Sequence, residues 1–510
     1  MKKSCLFFVI LGFLVFSLAG VSYGWQGRMG GMGDPYGLVQ DESDFLFHPA
    51  KIANEKGINF FGNYRFNYTD VGDWNITLTS SNIGPGPGGG VFIQYPFKSS
   101  GDEFKHEGLL GAVIPLGPGK MGILLDYLGR RGEYDGVENQ FGTFGSYGDY
   151  TFSLKNPLDA FSLRVLYGLP IMGVDVGFDL GIDYKNEKNK SSFLASDLSI
   201  YTENYIWGLT APERALRLFM IPYDSNYWDF SWKLGIGKKS DCFDIDATLK
   251  SSFIFSSKNK YQYIYQNPLG DNDYNASMDG DVHGYRIGFD VWTRAKLGEG
   301  MTLPFLVSIE SGNKKRTGEG IGTGIADGGL SYSYEHKEKE LSFKLGGGLE
   351  KKLAGNTLVA GGLYYSYIKN NDSIWFTRNV VEQVDDSGFP SRKEHQVMLK
   401  LSGEKNLTPQ LALRMGLNIF YSWVKENYNH YDGFQTTDFS LDGNRWGIGA
   451  SLGGTVKFQR FSVEPFLAGG YQKLSLCGDG SIAPNFIDVI DASKIRKEWS
   501  IGGGFSIKFN

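Results

Sequence analysis

Apolar and polar residues alternate along most of this chain with a period of two. In residues 174–184, VDVGFDLGIDY, one face carries Val174, Val176, Phe178, Leu180, Ile182 and Tyr184. Asp175, Gly177, Asp179, Gly181 and Asp183 fall on the other. Successive side chains of a strand point to opposite faces, so this alternation predicts a β-strand between two unlike environments. The pattern recurs at 58–68, 228–236, 243–249, 285–291, 341–349, 411–421, 446–452 and 461–467. Two architectures ask for it. One is a soluble sandwich with an apolar core, and the other is a membrane barrel with lipid outside and a polar lumen.

The connections separate the two. Short turn-like joints lie at 116–120, 169–173, 237–241, 296–301, 351–356, 403–410 and 458–460. Long polar or mixed segments lie between them, near 70–105, 130–157, 186–225, 256–282, 312–339, 369–393, 424–442 and 471–496. Short turns alternating with long loops predict an all-β fold, a transmembrane antiparallel β-barrel with long external loops. Seven turns and eight loops give about sixteen strands, with fourteen and eighteen as the alternatives. The strand-like runs near Trp74 and Tyr150 read as strand extensions or hairpins beyond the membrane. A soluble, exported multi-sheet protein is the competing architecture.

The start of the chain bears on location. Lys2 and Lys3 precede an almost wholly apolar run from Cys5 to Leu18, and Ser22 and Gly24 stand at −3 and −1 of a cleavage before Trp25. This predicts a signal peptide over 1–24, against the alternative of one N-terminal membrane helix. The expected division is then 1–24 signal peptide, 25–57 N-terminal plug or periplasmic strap, and 58–510 barrel. The expected location is the outer membrane of a Gram-negative-type bacterium. The last strand sets Trp499, Ile501, Gly503, Phe505, Ile507 and Phe509 on one face, with Asn510 after them. That ending resembles the C-terminal signal read by outer-membrane assembly machinery, so that machinery and outer-membrane lipid are the expected partners.

Composition narrows the function. The chain has 70 Gly, 29 Tyr, 37 Phe and 10 Trp, which suits hairpins and interfacial aromatic girdles. Tyr184, Trp228, Trp292, Tyr364, Tyr365, Tyr367, Tyr421 and Trp423 are the expected girdle residues. The net charge of −5 supplies no basic excess for nucleic acid. The six His are scattered and no GxSxG or HExxH occurs, so neither an enzyme nor a cofactor is expected. Cys242 and Cys477 remain after residue 24, and their pairing is left open by the sequence.

On the strand faces opposite the apolar ones lie charges of both signs. Arg65, Asp175, Asp179, Asp183, Arg286 and Arg414 are the leading lumen candidates, joined by Arg164, Lys233, Lys250, Lys344, Lys400, Asp229, Asp244, Asp246, Asp290, Glu310 and Glu464. On the lipid face they would each cost several kcal/mol near the midplane. Pairing across the lumen is the simplest role for most of them.

Residues 27–57 carry a more specific signal. They contain Met29-Gly30-Gly31-Met32-Gly33, then Asp41-Glu42-Ser43-Asp44, then His48-Pro49-Ala50. Here the chain resembles the FadL-type family of outer-membrane transporters for long-chain fatty acids and other hydrophobic compounds. That family begins with a Gly- and Met-rich segment, an acidic stretch and an Asn-Pro-Ala motif, and His48 stands where it has Asn. Family barrels usually have fourteen strands, fewer than the sixteen counted here. The resemblance implies that residues 25–57 fold into the lumen as a plug or hatch, with Met29, Met32, Asp41, Asp44, His48 and Pro49 as its marked positions. A periplasmic strap is the alternative.

Two loops carry further candidates. In 186–225, Thr210, Pro212 and Glu213 predict a capped short helix. Trp207, Leu216, Leu218 and Phe219 would then form an apolar ligand-collecting cluster, or a helix packed over the barrel mouth. In 270–281, Asp271, Asp273 and Asn275 start with EF-hand spacing, but Ala276 and Val282 break it. A looser calcium site would use Asp271, Asp273, Asp279 and Asp281, and a solvated acidic loop is the plainer account. Three functions follow: a channel for hydrophobic, fatty-acid-like small molecules, a porin for small polar solutes, or a barrel scaffold for a secretion or surface partner.

Overall fold

Strands with one greasy and one charged face leave no greasy core to share, and closing the sheet on itself satisfies both faces at once. The structure, a computed structural model, describes residues 27–509 except 36, 84–89, 143–144, 196–222, 266–273, 324–328, 379–381, 432–435 and 484–486. A short helix α1 (Gly27–Gly31) and two 3-10 turns (Glu42–Leu46 and Pro49–Asn54) precede the strands. The first strands are β1 (Asn59–Ile83), β2 (Gly90–Leu116), β3 (Gly119–Gly142), β4 (Gly145–Lys155), β5 (Leu158–Ile171) and β6 (Val174–Ala195). Next come β7 (Tyr223–Lys239), β8 (Phe243–Tyr265), β9 (Tyr274–Gly280), β10 (Val282–Gly298), β11 (Met301–Gly322) and β12 (Ser331–Leu353). Last are β13 (Thr357–Arg378), β14 (Glu382–Asn406), β15 (Leu411–Tyr431), β16 (Thr436–Lys457), β17 (Phe461–Ala483) and β18 (Ile487–Phe509).

Each strand pairs antiparallel with its neighbours, and β18 pairs back onto β1 from Phe60 opposite Phe509, so the sheet is closed. β4 and β5 are two lengths of one wall position, since both lie between β3 and β6. The break falls at Asn156-Pro157, where proline has no N–H for the ladder. β9 and β10 likewise share the position between β8 and β11, with the break at Asp281. The described strands therefore make a sixteen-position barrel. The seven short joints stand where the sequence puts them. Four turn through positive-φ residues, among them Gly117, Met172-Gly173, Glu299 and Asn356.

The long segments differ from expectation in one respect. Much of what reads as loop is strand: β1 has 25 residues and β2 has 27. Crossing a membrane takes about 9–11. At ~3.3 Å per residue and a tilt of ~40°, such strands stand about 60 Å tall, far above an apolar band of ~25 Å. Backbone pairing continues into the polar region because the ladder needs no alternation once lipid is left behind. Trp74 and the run around Tyr150 lie in these extensions, on β1 and β4.

The faces sort as the period demands. On β6, Phe178, Leu180 and Ile182 are 46%, 51% and 43% exposed, while Asp179 and Asp183 are 2% and 8%. Trp228, Tyr421 and Trp423 are exposed on the outer wall, as girdle residues should be. Trp292 and Tyr364 are not: both are buried and face the lumen. Strand phase explains this correction. Trp292 is in step with Arg286 and Asp290, and Tyr364 is out of step with the outward Leu363. Cys242 and Cys477 are free and exposed. Cys242 lies in the short β7–β8 joint, whereas Cys477 lies sixteen residues up β17, toward its long-loop end. The Cα separation needed for a disulfide is at most ~7 Å.

Candidate functional site

The lumen near the short-turn end is crossed by residues 27–57. α1 packs against β15, β16, β17 and β18, and the second 3-10 turn packs against β3, β5, β6 and β7. Between them, Leu38 and Val39 join Trp292, Leu306, Leu358, Ala360 and Tyr364 in one apolar cluster. Phe45, Leu46 and Ile52 join Phe61, Leu109, Val113, Leu124 and Leu166 in another. The segment thus touches the wall all the way round.

Its local shape follows from its acidic stretch. Asp41 caps the first 3-10 turn, accepting from the Ser43 amide at 3.3 Å and the Ser43 hydroxyl at 2.6 Å. Asp44 reaches back to accept from the Asp41 amide at 3.2 Å, completing a capping box. Pro49 opens the second turn, where its missing N–H costs nothing.

Glycines on the wall make room for that turn. A Cβ on Gly177 would fall on the main chain of Pro49 and Ala50, and one on Gly235 would lie 3.0 Å from the Ala50 nitrogen. On the far side, a Cβ on Gly453 would lie 2.7 Å from the Gly31 Cα. Gly177 of β6, with Gly235 and Gly453, is therefore part of the floor on which the segment rests. Nothing in the period-two pattern distinguishes such a floor from ordinary strand glycine.

Polar anchors hold it there. Wall side chains donate to the segment's own carbonyls. These bonds are Ser451 to Gly31 at 3.1 Å, Ser402 to Met32 at 2.8 Å, Asn418 to Gly33 at 3.1 Å and Lys400 to Asp34 at 2.6 Å. Arg294 donates to Leu38 at 3.0 Å, and Lys233 to Leu46 at 2.7 Å. Arg28 joins Asp41 at 3.1 Å and Glu404 at 2.8 Å, and Arg414 joins Glu404 at 2.6 Å. Lys51 lies 3.0 Å from Asp44 and 3.2 Å from Asp246.

Of the predicted lumen charges, Arg65 reaches Asp34 at 3.4 Å, and Asp175 accepts from Asn54 at 2.7 Å. Asp179 binds Arg164, which itself donates to the Leu46 carbonyl at 3.3 Å. Arg286 sits higher, pairing with Glu310 at 3.1 Å and Glu340 at 3.4 Å. Met29 and Met32 are fully buried. The sequence singled out neither Arg28 and Lys51 nor the wall partner Glu404, whereas Asp246, the wall partner of Lys51, is among its expected lumen charges. An isolated cation just before or after an acidic capping box was the available signal.

His48 is buried between these groups. Its Nδ1 shares a 2.7 Å hydrogen bond with the Thr248 hydroxyl, and its ring meets Trp292 edge-on at 4.2 Å. Its Nε2 has no hydrogen-bond partner. Burial first, then Lys51, Lys233 and Lys250, hold the imidazole well below its ordinary value, so it is neutral. Burial also raises Asp44, against the pull of Lys51. Burial lowers Lys51, but Asp44 and Asp246 outweigh it and the ammonium is held above its usual range. Burial, with Glu42 nearby, pushes Glu55 up to about 7.

Above the segment the lumen opens into chambers. One, of about 450 Å³, lies beside α1 and is lined by Asp34, Arg65, Met398, Phe420 and Phe466 among others. A second, of about 360 Å³, is lined by Lys185, Asp229, Ile254, Arg286, Lys314 and Glu338 among others. A smaller one, of about 180 Å³, holds Asp183 with Arg164 and Lys250. The second reaches a lapse in the wall. Phe253 pairs with Tyr285, and Asn259 with Gly280, but residues 254–258 form no ladder pairs with 281–284, though most of both keep their pairs with β7 and β11. There the Val282 amide donates to the Ser257 hydroxyl at 2.7 Å instead. Beyond the lapse, Tyr261, Met278, Tyr332 and Tyr334 form an apolar cluster.

The loop candidates Trp207, Leu216, Leu218 and Phe219 lie outside the described residues, as do Asp271 and Asp273. Asp279 stands on β9 opposite Lys260 and Glu319, and the Asp281 carbonyl accepts from the Thr317 amide at 2.9 Å. Among the described residues no cluster of three or more metal-ligating side chains occurs.

No family model and no curated protein matches this chain. Among solved structures, it is similar to a Pseudomonas aeruginosa FadL homologue at 12% identity and a TM-score of 0.43, over 95% of this chain and 97% of that one. The P. putida toluene transporter TodX gives 11% and 0.38 over 96% and 99%. The Ralstonia pickettii toluene transporter TbuX gives 9% and 0.38 over 97% and 99%.

Proposed function

We propose that this chain is an outer-membrane channel for small hydrophobic molecules, closed from the short-turn side by residues 25–57 acting as a plug. The observation that carries this is the seating of residues 27–57 across the lumen, with their apolar side chains buried and their carbonyls hydrogen-bonded to wall cations. In an open pore those cations would face water. Here they satisfy a main chain that fills the passage. The aromatic side chains at the chamber beside α1, Phe420 and Phe466, suit an apolar solute. The lapse between β8 and β10 begins just beyond the outward pair Phe253 and Tyr285, so an apolar solute there would have lipid on the other side. The resemblance of residues 29–50 to the FadL-type family supports the same class, and the TodX and TbuX structures are described as toluene transporters.

The signal peptide over 1–24, recognition of the last strand by assembly machinery and residence in the outer membrane belong to the same proposal. Small polar solutes are a second reading, favoured by the charges of both signs around the chamber of about 360 Å³. Single-channel conductance of the refolded mature chain in a planar bilayer tests the plug. Conductance near zero that rises when residues 25–57 are deleted supports it, and a large steady conductance of the intact chain refutes it. Uptake of a monoaromatic hydrocarbon against that of a small sugar then separates the two solute classes.

A further inference from the structure

On the outer wall, three lysines stand directly opposite one another on neighbouring strands. Lys369 of β13 faces Lys393 of β14, which in turn faces Lys425 of β15. Opposed like charges are unfavourable in a sheet, so such a row is not explained by the ladder itself. Lys369 and Lys393 have no ion pair among the described residues. Lys425 has only Asp442 at 3.6 Å, with both side chains about half exposed.

The rows beneath give the lysines a height. One step toward mid-barrel stand Tyr367, His395 and Trp423, then Tyr365, Val397 and Tyr421, then Leu363, Leu399 and Ile419. Leu363, Ile419, Tyr421 and Trp423 are all exposed on the outside. Apolar, then aromatic, then cationic is the order of hydrocarbon, interface and head group in a bilayer. The same sequence recurs on β17 and β18, where Tyr471 faces Trp499 and, one step out, Lys473 faces Lys497. It does not run round the whole rim. On β1 and β2, Tyr68 faces Phe104, and the next pair out is Asp70 facing Asp102. A general rule of strand ends would not put lysines on one side and aspartates on the other.

We propose that the Lys369, Lys393 and Lys425 row is a binding site for the phosphate of a lipid head group in the leaflet on the long-loop side. Neighbouring strands lie ~4.8 Å apart, so three ammonium groups on adjacent strands can converge on one phosphate. A bound phosphate also offsets the repulsion that the bare row carries. The inference rests on the membrane-spanning reading of the barrel and is independent of what the lumen carries.

The test uses the full mature chain in a neutral detergent, titrated with a bis-phosphorylated glucosamine lipid (lipid A) and followed by native mass spectrometry. A lysine near an anionic lipid surface strengthens attachment about fivefold. The triple variant K369Q/K393Q/K425Q is therefore expected to bind about a hundredfold more weakly. The matching arginine variant should keep the binding, and the dephosphorylated lipid should bind both forms weakly and alike. Millimolar inorganic phosphate should not compete. Equal binding by wild type and triple variant overturns the proposal, as does full displacement by inorganic phosphate, which would mark a site for a soluble anion. A melting temperature in lipid-free detergent separates this from a role in folding. Relief of opposed charges predicts that the glutamine variant melts no lower than wild type, and a clearly lower value would make the lysines structural and overturn the proposal.

Discussion

Replacing Gly177 by alanine should unseat the N-terminal segment. The new methyl group would lie 2.2 Å from the Pro49 carbonyl carbon and 2.3 Å from the Ala50 amide nitrogen, far inside contact distance. Both are main-chain atoms in a turn that Gly235 presses from β7, with its own Cβ position 3.0 Å from the Ala50 nitrogen. The turn cannot slide sideways without losing the 2.7 Å His48–Thr248 bond and the Lys51 contacts with Asp44 and Asp246. Overpacking of this kind costs about 1–3 kcal/mol, which shifts the seated-to-released ratio by about 5- to 150-fold. The wall should survive, because β6 keeps its ladder to β5 and β7 with alanine as with glycine. The assay is single-channel recording, paired with limited proteolysis of residues 27–57 from the short-turn side. Gly449→Ala is the control: it lies in the same lumen, but its nearest neighbour would be 3.6 Å away. Opening events and cleavage in Gly177→Ala and not in Gly449→Ala are expected. If Gly177→Ala stays as closed and as protected as wild type, the segment is not resting on this floor and the argument fails.

Further outcomes follow from the anchors. Lys51→Met leaves the Asp44 carboxylate, 1% exposed, without its cation, and breaking such a pair costs about 3–5 kcal/mol. Proteolysis should find the segment released, and Asp44→Leu added to Lys51→Met should partly reseat it. Seated His48 stays neutral while a released imidazole takes a proton near 6.5, so this residue's contribution is complete above 6.5 and fades as the pH falls below it. Glu55 works the other way: seated it titrates near 7, so its penalty is absent below its ordinary 4.5 and grows as the pH rises toward 7. Relative to wild type, Glu55→Gln should lose protection more steeply on acidification and His48→Asn less steeply, as read by protease sensitivity against pH. Cys242 and Cys477 should both label with a maleimide in the folded barrel without any reducing agent.

The wall was legible in the sequence because its period is two and its environments are unlike. Residues 174–184 alone give the inward aspartates and the outward Phe178, Leu180 and Ile182. The seven joints are legible from Gly, Pro and Asn clusters. The limits of the strands were not, because β1 and β2 run on past the membrane, where pairing is kept by backbone bonds and side-chain alternation stops carrying information. Trp292 and Tyr364 were misplaced by residue type, although the phase of their own strands sends them inward to Leu38. The acidic stretch at Asp41 and Asp44 was visible as a motif, and its cations Lys51 and Arg28 are near in sequence, but their wall partners Asp246 and Glu404 are set by contacts across hundreds of residues. Arg28 and Glu404 are 376 apart in sequence. The glycine floor was invisible for the same reason, since a glycine that faces a turn from elsewhere looks like any glycine in a strand.

The segment's contacts with the wall span up to 466 residues, from Glu42 to Lys508. Yet the described strands close from β1 round to β18 through their own ladders, so once the wall has formed those distances no longer count. What remains is a chain of about thirty residues fastened at Asn59 to the rim of its own receptor. It behaves as a tethered ligand, at an effective concentration on the order of millimolar. Release is then brief and local, and the passage re-closes without help. A free peptide with the sequence of residues 27–57 would have to approach that same concentration before it could hold the lumen in the segment's place.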